Sequence, residues 1–528
     1  MLGTAEGVVT IGAARALTEA GCVDEAERRA RIALAENRLA RSDVARLRVA
    51  RSELLFAAGR AEEALHDAEA ALGEPDLPVG VAGRAQLARF QAMMARPELE
   101  DARRPAGEIL AGGGRPGGDA ALPGALAVLG ALAWTDGRPS DALVLQRAAI
   151  ERADAGAPPA WRAAPRLQLA VMLAGLGYFD EAEEETEAAA TLADVGGERF
   201  WAPAPMVVRA NLGIAAGRID EAEADATAGL VLASQIGALI FIPMARAALA
   251  LAHVLRGDLD GAAGLPGDQR HELPPPPAIL GSAAWWWAEI RVAEAKRGPA
   301  GAVEVLRTMG DEVGHRLGLL TEEPAAGAFL VRAAVSLGER RLADSLVAEC
   351  EHLASRNDGL DSLSAAALHA RGVCSADASA LESAAARHRH PWARASALED
   401  AGLAFRNDGR RQEAERLFRQ SEGVYQEVGA ERDAARLRRR LRQVDSPRRR
   451  RRAEGPGSGW ASLTDHEREV ARLVAEGLTN AQVAAELYLS PHTVDFHLRQ
   501  IYRKLNIRTR VQLTRAVLAR SSPAAFAG

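Results

Sequence analysis

A glycine recurs about every forty residues through most of this chain, and that period constrains the fold more than any other feature. The segments GCVDEAERR at Gly21, GRAEEALHD at Gly59, GYFDEAEEE at Gly177 and GRIDEAEAD at Gly217 each place a glycine shortly before an acidic, Ala-containing run. Weaker copies stand at Gly137 (GRPSDALVL), Gly257 (GDLDGAAGL), Gly298 (GPAGAVEVL), Gly338 (GERRLADSL) and Gly409 (GRRQEAERL). From Gly137 to Gly338 the intervals are 40, 40, 40, 41 and 40 residues. Apolar residues at helical spacing precede each glycine, as Leu167, Val171 and Leu173 precede Gly177, and a second helical pattern follows it. The unit is a helix, a glycine turn and a second helix. One such pair cannot bury its apolar face alone, so neighbours must stack into a superhelix. With weak units near Arg96 and Gly372, about eleven pairs are expected.

The period resembles that of tetratricopeptide-like arrays, but it exceeds their unit of about 34 residues and so implies longer helices or loops. A chain of 528 residues is also too long for one core. Hydrophobic residues make up 48% and aromatic ones only 4%, so contacts between helices fall mainly to Ala, Leu and Val. Ala111-Gly-Gly-Gly-Arg-Pro-Gly-Gly reads as a flexible connector. Leu273-Pro-Pro-Pro-Pro reads as a stiff spacer rather than a proline-recognition ligand.

The net charge of −6 is unevenly spread. From Leu437 onward eighteen Lys or Arg face eight Asp or Glu, a balance of +10, which leaves −16 on residues 1–436. Nucleic acid is therefore expected to meet the C-terminal end only. Three cysteines, Cys22, Cys350 and Cys374, form no CxxC pair and are odd in number, so a disulfide framework is not expected. The first residues show no basic leader, and no stretch approaches the roughly twenty apolar residues of a membrane span. A cytoplasmic protein without membrane contact is expected. No GxSxG, HExxH, phosphate-cradling or dinucleotide-binding glycine motif occurs, so neither an enzyme nor a cofactor is expected. Trp285-Trp286-Trp287 falls within a helix of the array and should pack between repeats, an aromatic ligand pocket being the alternative. His388 and His390 lack metal-ligand spacing and are expected on a solvated face.

The last seventy residues follow another pattern. Thr464 with Glu467, Thr479 with Gln482 and Thr509 with Gln512 have capping-box spacing, in which side chain and backbone satisfy each other at a helix start. Ser490 as N-cap and Pro491 at the first helical position open another helix, and Gly477 closes the first. Val494, Leu498, Ile501 and Leu505 fall on one face of that third helix, away from Asp495, Arg499, Tyr502 and Arg503. A short helix, a tight turn at Tyr488-Leu489 and this half-polar helix make a helix-turn-helix, whose second helix enters the DNA major groove.

The stretch LTDHEREVARLVAEGLTNAQVAAELYLSPHTVDFHLRQIYRKLNIRTRVQL resembles the LuxR-type helix-turn-helix of bacterial transcription regulators. The LTxxExEV opening, the EGLTN turn, the xxLxLSxxTV junction and the HLxxIxxKLxIxxRxxL tail carry the likeness. The expected architecture is all-α: a tetratricopeptide-like superhelix over 1–443, an Arg/Gly-rich linker over 444–459 and a four-helix module over 460–528. By the resemblance, Asp495, Phe496, Arg499 and Arg503 face base edges. Arg499 has the two-donor geometry for guanine, Phe496 suits a thymine methyl, and Asp495 could accept from cytosine. Asn480, Thr493, His497, Lys504 and Arg510 are expected at the phosphate backbone, and Val470, Leu473, Val483, Leu487, Val494 and Leu498 in the core. The resemblance implies double-stranded DNA as partner and a second copy on paired half-sites, joined through the last helix. The repeats could meet transcription machinery or a small-molecule or protein ligand. The join AERLFRQSEGVYQEVGAERDAARLRRRL also resembles the C-terminal half of large ATP-binding LuxR-type regulators. Their ATPase module has no counterpart, because GxxxxGK[ST] is absent and the lysines are only Lys296 and Lys504.

Overall fold

The computed structural model describes residues 22–521 except 37, 97, 113–117, 158, 197–198, 264–281, 310–312, 454–459, 461–462, 488–490 and 508, with isolated positions before Cys22. At 443–453 and a few other helix positions the backbone alone is described. All regular structure among the described residues is helical. The chain forms two units, Met1–Arg438 and Arg439–Gly528.

The first unit is a tetratricopeptide-like array. Ten helix pairs stand among its described residues, from Arg41–Ala57 with Ala61–Leu72 to Pro391–Asn407 with Arg411–Glu427. Seven of the turns are built alike. At Gly217 the backbone enters the left-handed region (φ +83°), where a residue with a Cβ is strained. Gly217 N–H then donates to Ile214 O at 3.2 Å and Arg218 N–H to Gly213 O at 2.8 Å, which satisfies the last carbonyls of the helix Pro203–Ala216. The second of these bonds recurs after Gly59, Gly137, Gly177, Gly257, Gly338 and Gly409. Five residues beyond each of these glycines stands an alanine (Ala64, Ala142, Ala182, Ala222, Ala262, Ala343, Ala414) with at most 1% of its surface exposed. Its small size lets the second helix press onto the first. Near Gly372 the device differs: Ala376 takes the left-handed position, and the Asp377 carboxylate caps the next helix at Ser379 and Ala380 N–H. The weak unit expected near Arg96 is the pair Val79–Met94 with Arg103–Leu110, whereas the expected turn at Gly21 and most of both Gly- and Pro-rich connectors lie outside the described residues.

Beyond neighbour-to-neighbour stacking, the superhelix closes on itself. His390 Nε2 donates to Ala174 O at 2.9 Å, Asn357 Nδ2 to Gly137 O at 2.9 Å, and Ser362 Oγ to Leu176 O. These partners lie 186–220 residues apart, roughly five repeat units along the chain. A Cβ added at Gly137, Gly177 or Gly217 would collide with Leu353, Arg389 or Val428. The glycine turns of one superhelical turn are thus packed directly under the next.

Three expectations change. His388 and His390 are not on a solvated face; each is 6% exposed. His388 Nε2 lies 3.2 Å from His369 Nδ1, and His369 Nε2 lies 3.0 Å from Asp400 Oδ2. Burial favours the neutral imidazoles; closure supplies the Ala174 carbonyl to His390, while the neighbouring helix Pro391–Asn407 supplies the Asp400 carboxylate to His369. The backbone is helical from Glu431 to Ala453, through the Arg448–Arg452 run expected to be linker. Arginine is a good helix former, and a helix already nucleated extends readily. Finally, Leu239–Arg256 is 18 residues long and apolar enough to cross a membrane, but 78% of it is buried inside the array. Trp285 and Trp287 are buried and Trp286 packs against the same core, so the tryptophan run fills space between repeats.

Candidate nucleic-acid interface

Four helices make the second unit's module: Asp465–Ala475, Asn480–Glu486, Pro491–Leu505 and Arg510–Ser521. Thr464 Oγ1 accepts from Glu467 N–H at 3.2 Å while Glu467 Oε2 accepts from Thr464 N–H at 2.8 Å, so the first capping box is complete. Thr479 and Gln482 form the second in the same way. Thr509 Oγ1 accepts from Gln512 N–H at 3.2 Å at the fourth helix. Gly477 (φ +96°) ends the first helix, and Asn506 (φ +53°) follows the third. Tyr488, Leu489 and Ser490, the expected turn and N-cap, lie outside the described residues.

Val470, Leu473, Val483, Val494 and Leu498 are buried together with Leu463, Val474, Ile501, Leu513 and Val517, and Leu487 packs partly against them. This core fixes the rotation of the third helix. With Val494, Leu498 and Ile501 turned inward, Arg499 is left outward with 75% of its side chain exposed. Asp495 stands one turn away, its Oδ2 2.7 Å from Arg499 Nη2. The two expected base readers therefore form one exposed ion pair, and such pairs are worth only about 0.3–0.5 kcal/mol. DNA can separate it at little cost. The side chains of Phe496, Arg503 and Thr493 lie outside the described residues.

The expected phosphate contacts are placed differently. The Lys504 ammonium closes on Glu467 Oε2, and three-quarters of the lysine side chain is covered. Burial raises the Glu467 pKa, but Lys504 and the Thr464 amide outweigh it, leaving the carboxyl below the usual range. Arg510 Nη1 donates to Asn480 Oδ1 at 3.0 Å and Nη2 to Leu478 O, which ties the fourth helix to the start of the second. The His497 ring meets the His466 ring edge-on, centres 5.6 Å apart. Residue type marked these positions as polar and special; nothing in the sequence marked Glu467 as the partner of Lys504 or Asn480 as that of Arg510. Val511 (62% exposed) and Leu518 (56%) lie two helical turns apart on the outside of the fourth helix.

Residues 461–517 match the family described as bacterial regulatory proteins, luxR family. Proteins named as HTH-type transcriptional regulators of Mycobacterium bovis and Mycobacterium tuberculosis are each 50% identical over 68 residues, which is 13% of this chain and 8% of theirs. A nitrate/nitrite response regulator protein homolog of Haemophilus influenzae is 51% identical over 53 residues, 10% of this chain and 26% of that one. The chain thus spans a small part of these relatives, and the likeness lies in the module. A crystal structure of a Rap protein complexed with competence and sporulation factor aligns with 76% of this chain and 98% of its own, at 11% identity and a TM-score of 0.35.

Proposed function

Starting from a C-terminal LuxR-family helix-turn-helix domain, we propose that the chain is a sequence-specific transcriptional regulator of bacterial DNA. One observation carries the reading: the module's core turns the third helix so that Arg499 projects outward from a scaffold whose first two helices carry complete capping boxes. Arg499, with Asp495 and with Phe496 and Arg503 on the same helix, reads base edges in the major groove. Thr493 and His497 meet phosphate. Lys504, Asn480 and Arg510 act at the backbone chiefly by fixing helix positions, since their polar groups are engaged within the module.

The fourth helix pairs two copies on adjacent half-sites through Val511 and Leu518, whose exposure leaves apolar surface beyond the module's own core. The repeat unit receives the signal, either a ligand or a partner, and the protein works in the cytoplasm beside the chromosome. Sites recovered by selection from a random duplex pool test this reading. Binding should favour one sequence over random duplex and fall steeply with salt. Equal affinity for every duplex would reduce the module to a non-specific contact and leave the chain an interaction scaffold.

A further inference from the structure

Asp495 is the only acidic residue in the helix Pro491–Leu505, which also carries Arg499, Arg503 and Lys504. It stands one turn before Arg499 on the same outward face, with 42% of its side chain exposed. A carboxylate on the groove side of a DNA-reading helix repels phosphate and weakens binding to every duplex alike. Stability does not account for it either. Asp495 lies outside the module's core, and an exposed ion pair one turn apart contributes little. What the residue can give is direction. Arg499 is long, 75% exposed and costly in entropy to order on binding, and the carboxylate already holds its tip.

The geometry leaves both partners able to read a base. A guanidinium presents two forks of parallel N–H bonds, Nη1 with Nη2 and Nη2 with Nε. The bond from Nη2 to Asp495 Oδ2, 2.7 Å long, uses one Nη2 hydrogen and so breaks only one fork. The other fork remains for guanine O6 and N7. On the carboxylate, Arg499 takes Oδ2 and leaves Oδ1 to accept. Two groups bonded to each other reach base pairs about 3.4 Å apart, which are neighbours in the stack. The pair is weak enough for DNA to part it, but parting would strand the carboxylate in the groove without its counter-charge.

We propose that the Asp495–Arg499 pair stays intact on DNA and reads two adjacent base pairs as one unit. Arg499 takes a guanine; Asp495 positions Arg499, and its Oδ1 accepts from the amino group of cytosine or adenine on the next pair. Guanine and thymine offer no donor on that edge, so the carboxylate rejects them. The proposal rests on the reading that the third helix lies in the major groove, and it names the two-base step read there.

Equilibrium binding of the full chain tests it, on the site recovered from a random pool, on every single-base substitution within that site and on random duplex. Asp495→Ala should lose about tenfold on the selected site and relax two adjacent positions, its own cytosine or adenine and the guanine of Arg499. On random duplex the same variant should bind about threefold more tightly, because an acid has left the groove. Asp495→Asn should shift its own position toward adenine, whose N6 and N7 suit an amide. In an Arg499→Ala background, Asp495→Ala should cost about threefold less than in the wild type, since the effect that passes through the arginine is gone. Three results would overturn the unit: wild-type guanine preference in Asp495→Ala, losses from the two substitutions that simply multiply, or a clearly lower melting temperature in Asp495→Ala, which would make the aspartate structural. If Arg499→Ala still relaxes its guanine, base reading by the third helix stands and only the unit falls. A wild type without preference for any sequence would remove both.

Discussion

Lys504 occupies a position that the LuxR pattern assigns to the phosphate backbone, yet its ammonium closes on the buried Glu467. Lys504→Ala should therefore cost the module about 2 kcal/mol by leaving a buried carboxylate with the Thr464 amide but without its counter-charge. Glu467→Gln in the same chain should restore part of that loss. Thermal melts of the two single variants and the double variant measure the coupling; a Lys504→Ala protein that melts like wild type but binds every duplex less well would instead make the lysine a phosphate contact.

His390 offers a second residue-scale test. Burial disfavours its imidazolium more than the Ala174 carbonyl supports it, so its pKa falls to about 4. The folded value lies below the unfolded one. The unfolded chain thus takes up the proton first, and His390's contribution is complete above about pH 6.5 and lost as pH falls to about 4. Glu322 and Glu323, both raised to about 8 by burial, act in the opposite sense in every variant. The difference between wild type and His390→Gln isolates the histidine: it should shift by about 3 kcal/mol against wild type between pH 7 and pH 4 in denaturant titrations. A difference that stays constant with pH would mean that His390 takes up its proton in the folded protein as readily as in the unfolded chain.

Among the elements, the glycine turns separate local from long-range packing. Gly409 (φ +80°) has open space around a prospective Cβ, whereas a Cβ at Gly217 (φ +83°) would overlap Val428 from the next superhelical turn. Gly409→Ala should cost about 1–2 kcal/mol of backbone strain alone. Gly217→Ala should cost about 1–3 kcal/mol more, from overpacking. Equal losses in chemical denaturation would mean that closure is not tightly packed. These turns were legible in the sequence because a positive φ leaves a residue-type mark at a fixed interval. Closure was not, because its contacts are made by turn carbonyls and by Asn357, Ser362 and His390, which follow no period. Where alanine replaces glycine at 376, the signal faded with the residue. In the module, caps and core were legible for the same reason as the turns. The pairings Asn480–Arg510 and Glu467–Lys504 were not, since a pattern marks positions and not partners.

Across the whole molecule, charge and apolar exposure divide the labour. Residues 437–459 carry nine Arg against two acidic residues, +7, while 460–528 carry nine Lys or Arg against six, +3. Most of the C-terminal surplus therefore precedes the module and is suited to non-specific phosphate attraction; in the proposed reading, specificity falls to the third helix. Val511→Asp with Leu518→Asp should abolish pairing of two copies on DNA without lowering the melting temperature, as both side chains are largely exposed; sedimentation of the DNA complex checks it. The most direct measurement compares wild type and Arg499→Ala on a selected site and on random duplex, in matched salt. Arg499→Ala should lose about 1–3 kcal/mol on the selected site, relax preference at one base position and leave random-duplex affinity nearly unchanged. An equal loss on both duplexes would contradict base reading by the third helix.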